Sequence, residues 1–223
     1  MILVFDLDDT LYDELTYVRS GFRAVAGFLA QTHAIPAEIG FSWMWEQLAG
    51  GRGQIFDQLL QHYNIYSKKL TRQCVSVYRS HQPEIKLSPE AERCLERFKE
   101  FPKYLVTDGN KLVQQHKIEA LGISHYFKHC YVTHRYGVEN SKPSPYCFLA
   151  ICEREKVRPD QVVYIADNPR KDFVGIKPLG FKTIRLRQGQ HREMEFPGEY
   201  EAGWQIKSLD EIMEEFFTGV WNS

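Results

Sequence analysis

The chain has 223 residues, about one and a half times the length of a typical domain. Its 28 lysines and arginines balance 29 aspartates and glutamates, giving a formal net charge of −1. That balance excludes a chain that is basic throughout and binds nucleic acid by counterion release. Aromatic residues make up 13% of the chain, which argues against disorder because they can bury enough surface to offset chain entropy.

Membrane insertion and secretion are also disfavoured. No stretch approaches the roughly 18 consecutive apolar residues of a membrane helix. The N-terminal apolar run Ile2–Phe5 has no basic segment before it and meets a carboxylate at Asp6, which is not typical of a signal peptide. The five cysteines are scattered and form no CxxC pair, so we expect reduced thiols. We therefore expect a cytoplasmic protein with no membrane partner.

The first predicted element is a strand at 2–6, a continuous apolar run typical of a strand buried on both faces. A long region with helical spacing of apolar residues follows it, as in Phe22, Val25 and Leu29. Glycines and a proline divide this region into four predicted helices, and a fifth helix leads back to the next strand. The five helices are expected at 15–32, 41–49, 54–63, 68–81 and 89–100.

From residue 103 onward, strands and helices alternate. Strands are predicted at 103–107, 130–133, 162–166 and 182–186; helices are predicted at 111–121, from Ser144-Pro145, and at 170–179. A C-terminal helix is expected from near Ser208, where Glu211 would complete a capping box. This alternation predicts an α/β fold: a doubly wound, mostly parallel, Rossmann-like sheet with helices on both faces.

The spacing of the first two strands indicates an insertion. About ninety residues separate them, whereas a crossover between parallel strands needs only a dozen or more. We therefore predict a catalytic core formed by 1–14 and 89–223, with an α-helical subdomain at 15–88 inserted after the first strand.

Carboxylates follow two of the predicted strands. Asp6 and Asp8 come directly after the first strand, and because residues i and i+2 of an extended segment point to the same side, both can face one crevice. Such close carboxylates repel each other unless a cation lies between them, and Mg²⁺ prefers oxygen ligands of this kind. Asp167 and Asp172 follow the strand at 162–166 and could complete the site. Turn formation or helix capping by these residues is the alternative.

Two further groups suit an anion. Thr107 and Asp108 lie where a strand ends and a helix begins, so backbone N–H groups there could cradle a phosphate, although an ordinary turn with a helix cap is the better account of this cluster taken alone. Lys142 precedes another helix and could place a charge on a phosphate, although isolated lysines are usually solvated.

Taken together, these motifs resemble the haloacid dehalogenase-like hydrolase superfamily almost end to end. The matching motifs are DLDDT at 6–10, Thr107 in VTDGN, Lys142 in SKP, and Asp167 with Asp172 in YIADNPRKD. One departure is Ala166, where many members of the family have glycine.

The resemblance implies a role for each matching residue. Asp6 would be the nucleophile that forms an aspartyl-phosphate, and Asp8 would act first as general acid and then as general base. The phosphate-binding residues would be Thr107, Asp108 and Lys142. Mg²⁺ would be held by Asp6, by Asp8 through its backbone carbonyl, and by Asp167, while Asp172 would bind the metal through water or orient Lys142.

Within the superfamily, the resemblance favours a phosphatase. The dehalogenase branch has no acid at the position of Asp8, and an inserted helical subdomain between the first and second motifs looks like the cap of small-molecule phosphatases. We therefore expect a Mg²⁺-dependent phosphatase acting on a small phosphate monoester, with no nucleic-acid partner, as a monomer or homodimer. The alternatives are a phosphomutase acting on a sugar phosphate and a non-catalytic binding or regulatory protein.

Substrate choice is expected to lie in the inserted helices. Arg52, in a glycine-rich connection, is a candidate contact for an anionic substrate group, with a solvated arginine as the alternative. Trp43 and Trp45 could stack on a substrate ring, but tryptophans in a helical subdomain more often fill its core.

Overall fold

A computed structural model describes residues 1–51 and 53–213 of the chain. The six strands are β1 (Ile2–Phe5), β2 (Lys103–Thr107), β3 (His129–Val132), β4 (Val162–Ala166), β5 (Lys182–Leu186) and β6 (Trp204–Ile206). The helices are α1 (Glu14–His33), α2 (Ala37–Gln47), α3 (Ile55–His62), α4 (Lys68–Ser80), α5 (Pro89–Arg97), α6 (Lys111–Leu121) and α7 (Tyr146–Glu155). No helix among the described residues is long and apolar enough to cross a membrane.

The strands form one parallel sheet in the order β3-β2-β1-β4-β5-β6. Strand β1 lies between β2 and β4, with Phe5 opposite Leu105 on one side and Ile165 on the other. The chain moves outward in opposite directions from β1, so the carboxyl ends of these three strands flank the topological switch point where α/β sheets bind ligands. The predicted doubly wound α/β fold is confirmed.

The sheet is buried on both faces, which explains the continuous apolar runs of its central strands. On one face, Val4 and Tyr164 share a core with Phe148 and Ile151 of α7. The other face carries Leu3 and Phe5, because side chains alternate along a strand. There, the ring of Phe5 packs edge-on against Phe127 with a centroid distance of 6.3 Å.

The chain divides into two compact units. One consists of Met1–Glu14 with the described residues from Lys86 onward; the other is Leu15–Ile85. The second unit is helical and has a core of its own, which includes Val25, Leu29, Met44, Leu59 and Cys74. Whether this unit acts as a cap stays a prediction.

The two tryptophans of α2 pack within the helical unit. Trp43 stacks on His62 with a centroid distance of 5.5 Å, and Trp45 stacks on Phe41 at 5.9 Å. Both lie partly buried against the core of that unit. These contacts favour the core-filling role over a stacking platform for substrate.

The helix predicted at 170–179 is wrong. The described chain there forms turns and a short 3₁₀ helix at Lys177–Leu179. Pro178 lacks the N–H that a helix needs, and Gly175 weakens helix formation. In addition, the Asp172 carboxylate accepts the backbone N–H of Asn168 at 2.9 Å, which stabilises a turn.

Other differences lie at the C-terminal side of the fold. Strand β6 was not predicted from the sequence. It is only 3 residues long, and two of its residues are exposed, so it has no continuous apolar run. The capping box of Ser208 and Glu211 is present, but it opens a 3₁₀ helix at Leu209–Glu211. The remainder of the predicted C-terminal helix, beyond residue 213, lies outside the described residues.

Candidate active site

Three carboxylates meet beside the carboxyl ends of β1 and β4. Asp6 follows β1 directly, Asp167 follows β4, and Asp172 returns from the turn after β4. One oxygen of each lies within 4.8 Å of an oxygen of the others, and all three side chains are buried. Because the residues directly after Asp167 form turns and not an α-helix, helix capping does not explain its burial.

Lys142 provides the positive charge of this cluster. Its Nζ lies 2.9 Å from Oδ1 of Asp6 and 2.8 Å from Oδ1 of Asp172, and it donates a hydrogen bond of 2.9 Å to the hydroxyl of Tyr164. Only 6% of the Lys142 residue is exposed. The solvated alternative for Lys142 is therefore excluded.

Asp172 holds this lysine in place. Its Oδ1 accepts hydrogen bonds from Lys142 and from the Tyr164 hydroxyl at 3.1 Å, while its Oδ2 accepts the N–H of Asn168. Both oxygens are engaged by the protein. This arrangement suits the orienting role for Asp172 better than the alternative of binding the metal through water.

The cluster carries more negative charge than Lys142 can balance. Burial raises the pKa of Asp6 to about 7, a rise that Lys142 opposes and Asp172 reinforces. Burial also raises the pKa of Asp167 well above its usual range, and the neighbouring Asp172 and Asp6 raise it further. A cation among these oxygens would favour the ionised form of both groups. The carboxylate oxygens present therefore fit a hard divalent cation such as Mg²⁺.

Asp8 faces a different set of partners. Its Oδ1 accepts hydrogen bonds from Lys117, with Nζ at 2.7 Å, and from the Tyr12 hydroxyl; its Oδ2 accepts one from Nε2 of Gln114 at 3.0 Å. Burial by itself would raise the pKa of Asp8, but the charge of Lys117 and these hydrogen bonds outweigh it and hold the pKa below its usual range. The neighbouring Asp9, by contrast, accepts the N–H of Glu14 and so does cap α1.

Thr107 and Asp108 both have partners within the protein. The hydroxyl of Thr107 accepts a hydrogen bond of 2.6 Å from Gln114. The Asp108 carboxylate accepts from the Thr133 hydroxyl at 2.8 Å, from the backbone N–H of Lys142 at 3.1 Å, and from Nζ of Lys171 at 3.0 Å. The Asp108 side chain thus fixes the loop of Lys142. Binding of a phosphate by Asp108 stays a prediction.

Sequence reasoning missed the residues that support this site from other segments. Gln114 and Lys117 share one face of α6, but polar residues at this spacing are common on helices, and Lys171 and Tyr164 gave no signal either. The predicted substrate contact Arg52 lies outside the described residues. The helix cap suspected near Thr107 is present, but Asn110 forms it, by accepting the N–H of Leu112.

Comparisons with known proteins identify the family of the chain. A family model described as haloacid dehalogenase-like hydrolase matches residues 1–180. A glyceraldehyde 3-phosphate phosphatase of Methanopyrus kandleri is 29% identical over 203 residues, covering 86% of each chain. A protein of the same name from Pyrococcus furiosus is 24% identical over 222 residues, covering 96% of this chain and 91% of its own.

A solved structure shares the fold. The putative HAD-hydrolase YfnB from Bacillus subtilis, bound to magnesium, superposes with a TM-score of 0.67 at 19% identity and covers 100% of this chain and 98% of its own. The family match extends over most of the chain and includes β1, β2, β4 and Lys142. The chain therefore belongs to the haloacid dehalogenase-like hydrolases.

Proposed function

We propose that this protein is a Mg²⁺-dependent phosphatase that hydrolyses a small phosphate monoester through an aspartyl-phosphate on Asp6. The observation that carries the proposal is the contact between Asp6 and Lys142, at 2.9 Å, inside a buried cluster with surplus carboxylates. A nucleophilic carboxylate can approach a phosphate dianion only where nearby positive charge reduces their repulsion.

In the first step, an oxygen of Asp6 attacks phosphorus, a bond forms between them, and the bond from phosphorus to the ester oxygen breaks. Lys117 keeps Asp8 ionised in the free protein, so Asp8 must take up a proton as the phosphate ester binds and then gives that proton to the departing oxygen. Lys142 balances the charge of the phosphoryl group, and Thr107 and the backbone N–H of Asp108 donate hydrogen bonds to it. In the second step, Asp8 takes a proton from water, the water oxygen bonds to phosphorus, and the bond from phosphorus to the Asp6 oxygen breaks, which releases phosphate.

The proposed ligands of the metal are the side chains of Asp6 and Asp167 and the backbone carbonyl of Asp8. When bound, Mg²⁺ would neutralise charge on the transferring phosphoryl group. Asp172 orients Lys142, since both of its oxygens already accept hydrogen bonds from the protein.

Two features favour a phosphatase over a dehalogenase. Asp8 provides the proton that an alkoxide leaving group needs, whereas a halide leaves without one. The relatives named glyceraldehyde 3-phosphate phosphatase match this chain along most of its length, which points to a short phosphorylated metabolite as the substrate.

The test is a phosphate-release screen with Mg²⁺, covering triose phosphates, phosphoserine, sugar phosphates, nucleotides and phosphoglycolate. Release from at least one substrate, abolished by EDTA and by Asp6→Asn, is the expected result. Asp160→Asn is the matched control, because Asp160 is exposed and lies just before the amino-terminal end of β4, whereas the site lies at the carboxyl ends of the strands. Phosphate release that persists in Asp6→Asn would contradict the mechanism.

The same samples separate the alternative activities. A phosphomutase would isomerise a sugar phosphate with little free phosphate, and a dehalogenase would release chloride from 2-chloropropionate. A non-catalytic protein would give none of these products and would show no Asp6-dependent signal.

A further inference from the structure

Helix α6 sends two side chains to the carboxylate of Asp8. Lys117 lies 2.7 Å from Oδ1 and Gln114 lies 3.0 Å from Oδ2, so each oxygen of Asp8 has a donor from the same helix. The two donors are one turn apart and therefore share a face of α6. Helix α6 thus fixes both oxygens of the Asp8 carboxylate.

Lys117 is buried, with 3% of its side chain exposed. Removing a lysine charge from water is unfavourable unless acidic partners are close, and here Asp8 lies at 2.7 Å and Glu14 at 3.7 Å. An apolar residue would fill the same space in α6 without that penalty. The charge is therefore placed where Asp8 needs a fixed partner.

Gln114 connects this pair to the phosphate side of the site. Its Nε2 donates to Asp8 at 3.0 Å and to the hydroxyl of Thr107 at 2.6 Å. One amide group thus sets the distance between the residue that moves a proton and a residue that holds the phosphoryl group.

We propose that Lys117, together with Gln114, is a positioning residue that holds the Asp8 carboxylate in the orientation required for proton transfer. The inference rests on the proposed function, in which Asp8 is the acid and base. Proton transfer requires the two heavy atoms to be within hydrogen-bond reach, so an unanchored Asp8 would spend much of its time in unproductive orientations. Substrate binding does not depend on that orientation.

The leaving group distinguishes this role from a general structural one. An alkoxide needs a proton as it departs, whereas p-nitrophenolate is stable without one. Damage to Asp8 therefore lowers kcat/KM far more for an alkyl phosphate than for p-nitrophenyl phosphate, because kcat/KM includes every step through departure of the alcohol.

The experiment compares Lys117→Met, Lys117→Arg and Asp8→Asn on two substrates, p-nitrophenyl phosphate and the alkyl phosphate that the screen finds most active. General acid catalysis contributes on the order of 10²–10⁴-fold, so Lys117→Met should lose roughly 10- to 100-fold on the alkyl phosphate. The loss on p-nitrophenyl phosphate should be several times smaller, with KM nearly unchanged. Lys117→Arg should recover part of the activity, and Lys117→Met should add no further loss in the Asp8→Asn background.

Lys99→Met is the matched control, because Lys99 is exposed beyond the end of α5 and pairs only with Glu96 among the described ion pairs. Equal losses on both substrates, full activity in Lys117→Met, or an additive loss on top of Asp8→Asn would overturn the inference. If Lys117→Met does not fold, Gln114→Ala undergoes the same comparison. Failure of the proposed function is distinguishable, because in that case the wild type itself releases no phosphate, or Asp8→Asn leaves the alkyl phosphate unaffected.

Discussion

The main-chain oxygen of Pro143 lies 1.7 Å from the point that a β-carbon on Gly175 would occupy. Pro143 directly follows Lys142, and Gly175 follows Asp172 closely in the turn after β4. The two segments that carry the ion pair of Lys142 and Asp172 therefore pack backbone against backbone, which only glycine allows at this position.

Gly175→Ala is expected to force these segments apart. A backbone oxygen cannot move away as a flexible side chain can, so we expect a loss of about 1–3 kcal/mol in the free energy of unfolding, as is typical of overpacking. Because Lys142 would move away from Asp6, kcat per folded molecule should also fall. The loss of activity should therefore exceed the loss of folded protein. Urea unfolding and phosphate release measured on the same preparation test both effects.

The matched control is Gly198→Ala. A β-carbon on Gly198 meets no atom within 4 Å, so the unfolding free energy and kcat should both stay close to those of the wild type. A Gly175→Ala variant that behaves like this control would show that the contact with Pro143 constrains neither segment.

A second prediction concerns the surplus charge at the proposed metal site. Burial and the nearby carboxylates make ionised Asp167 unfavourable at neutral pH, so Asp167→Asn should make the metal-free protein more stable. The same change should weaken the stabilisation by Mg²⁺, which reaches about 2.7 kcal/mol when the ion is at one hundred times its Kd. Thermal unfolding in EDTA and in excess MgCl₂ measures the two effects, which have opposite signs.

The control is Asp160→Asn, on the exposed surface, which should change neither the stability of the metal-free protein nor its stabilisation by Mg²⁺. Unaltered Mg²⁺ stabilisation in Asp167→Asn would exclude Asp167 as a ligand. A less stable metal-free variant would show that Asp167 is balanced by charges within the protein.

The sheet and the position of the carboxylates were predictable because their signals are local. A strand such as β4, buried on both faces, must be apolar throughout, and the polar residue that ends it must lie at the edge of the sheet. Parallel pairing then brings Asp6 and Asp167 together, since β1 and β4 are neighbours. The SKP motif also predicted Lys142 as a residue of this site. Its contacts with Asp6, Asp172 and Tyr164 involve other segments of the chain.

The features that were missed depend on contacts between distant segments. The turn at 170–179 has helical spacing in the sequence, but Asp172 and the approach of Pro143 to Gly175 stabilise a turn instead. Lys117 has the appearance of an ordinary charged helix residue. Only the approach of α6 to the end of β1 reveals that its partner is Asp8.

A third prediction concerns Arg185, a fully buried residue of β5. Its guanidinium donates hydrogen bonds to the carbonyls of His191 at 2.7 Å and Met194 at 2.8 Å, and it pairs with Glu201. These contacts fasten the segment between β5 and β6 to the sheet. Arg185→Met would leave a carboxylate and two carbonyls without this partner, so we expect a loss of about 3–5 kcal/mol in the free energy of unfolding.

Arg192→Met is the control for Arg185. Arg192 pairs with Glu193, and the two side chains are 70% and 85% exposed. Arg192→Met should therefore change the unfolding free energy by less than about 0.5 kcal/mol. Chemical denaturation of the two variants in parallel is sufficient. Equal stability of both would mean that the buried contacts of Arg185 contribute nothing beyond those of a surface pair.

A fourth prediction concerns the cysteines, all of which are free thiols in the structure. Burial raises the pKa of Cys94 to about 12 and those of Cys74, Cys130 and Cys147 to about 11, and it also raises the pKa of Cys152. With a pKa near 11, roughly one thiol in a thousand is ionised at pH 8, and only the thiolate reacts with iodoacetamide.

Intact mass spectrometry should therefore find the folded protein almost unlabelled at pH 8, while protein unfolded in guanidinium gains five adducts, one for each cysteine of the chain. Cys130 is the least buried of the five, so it should be the first to react. Rapid labelling of Cys94 in folded protein would contradict its burial on the inner face of α5.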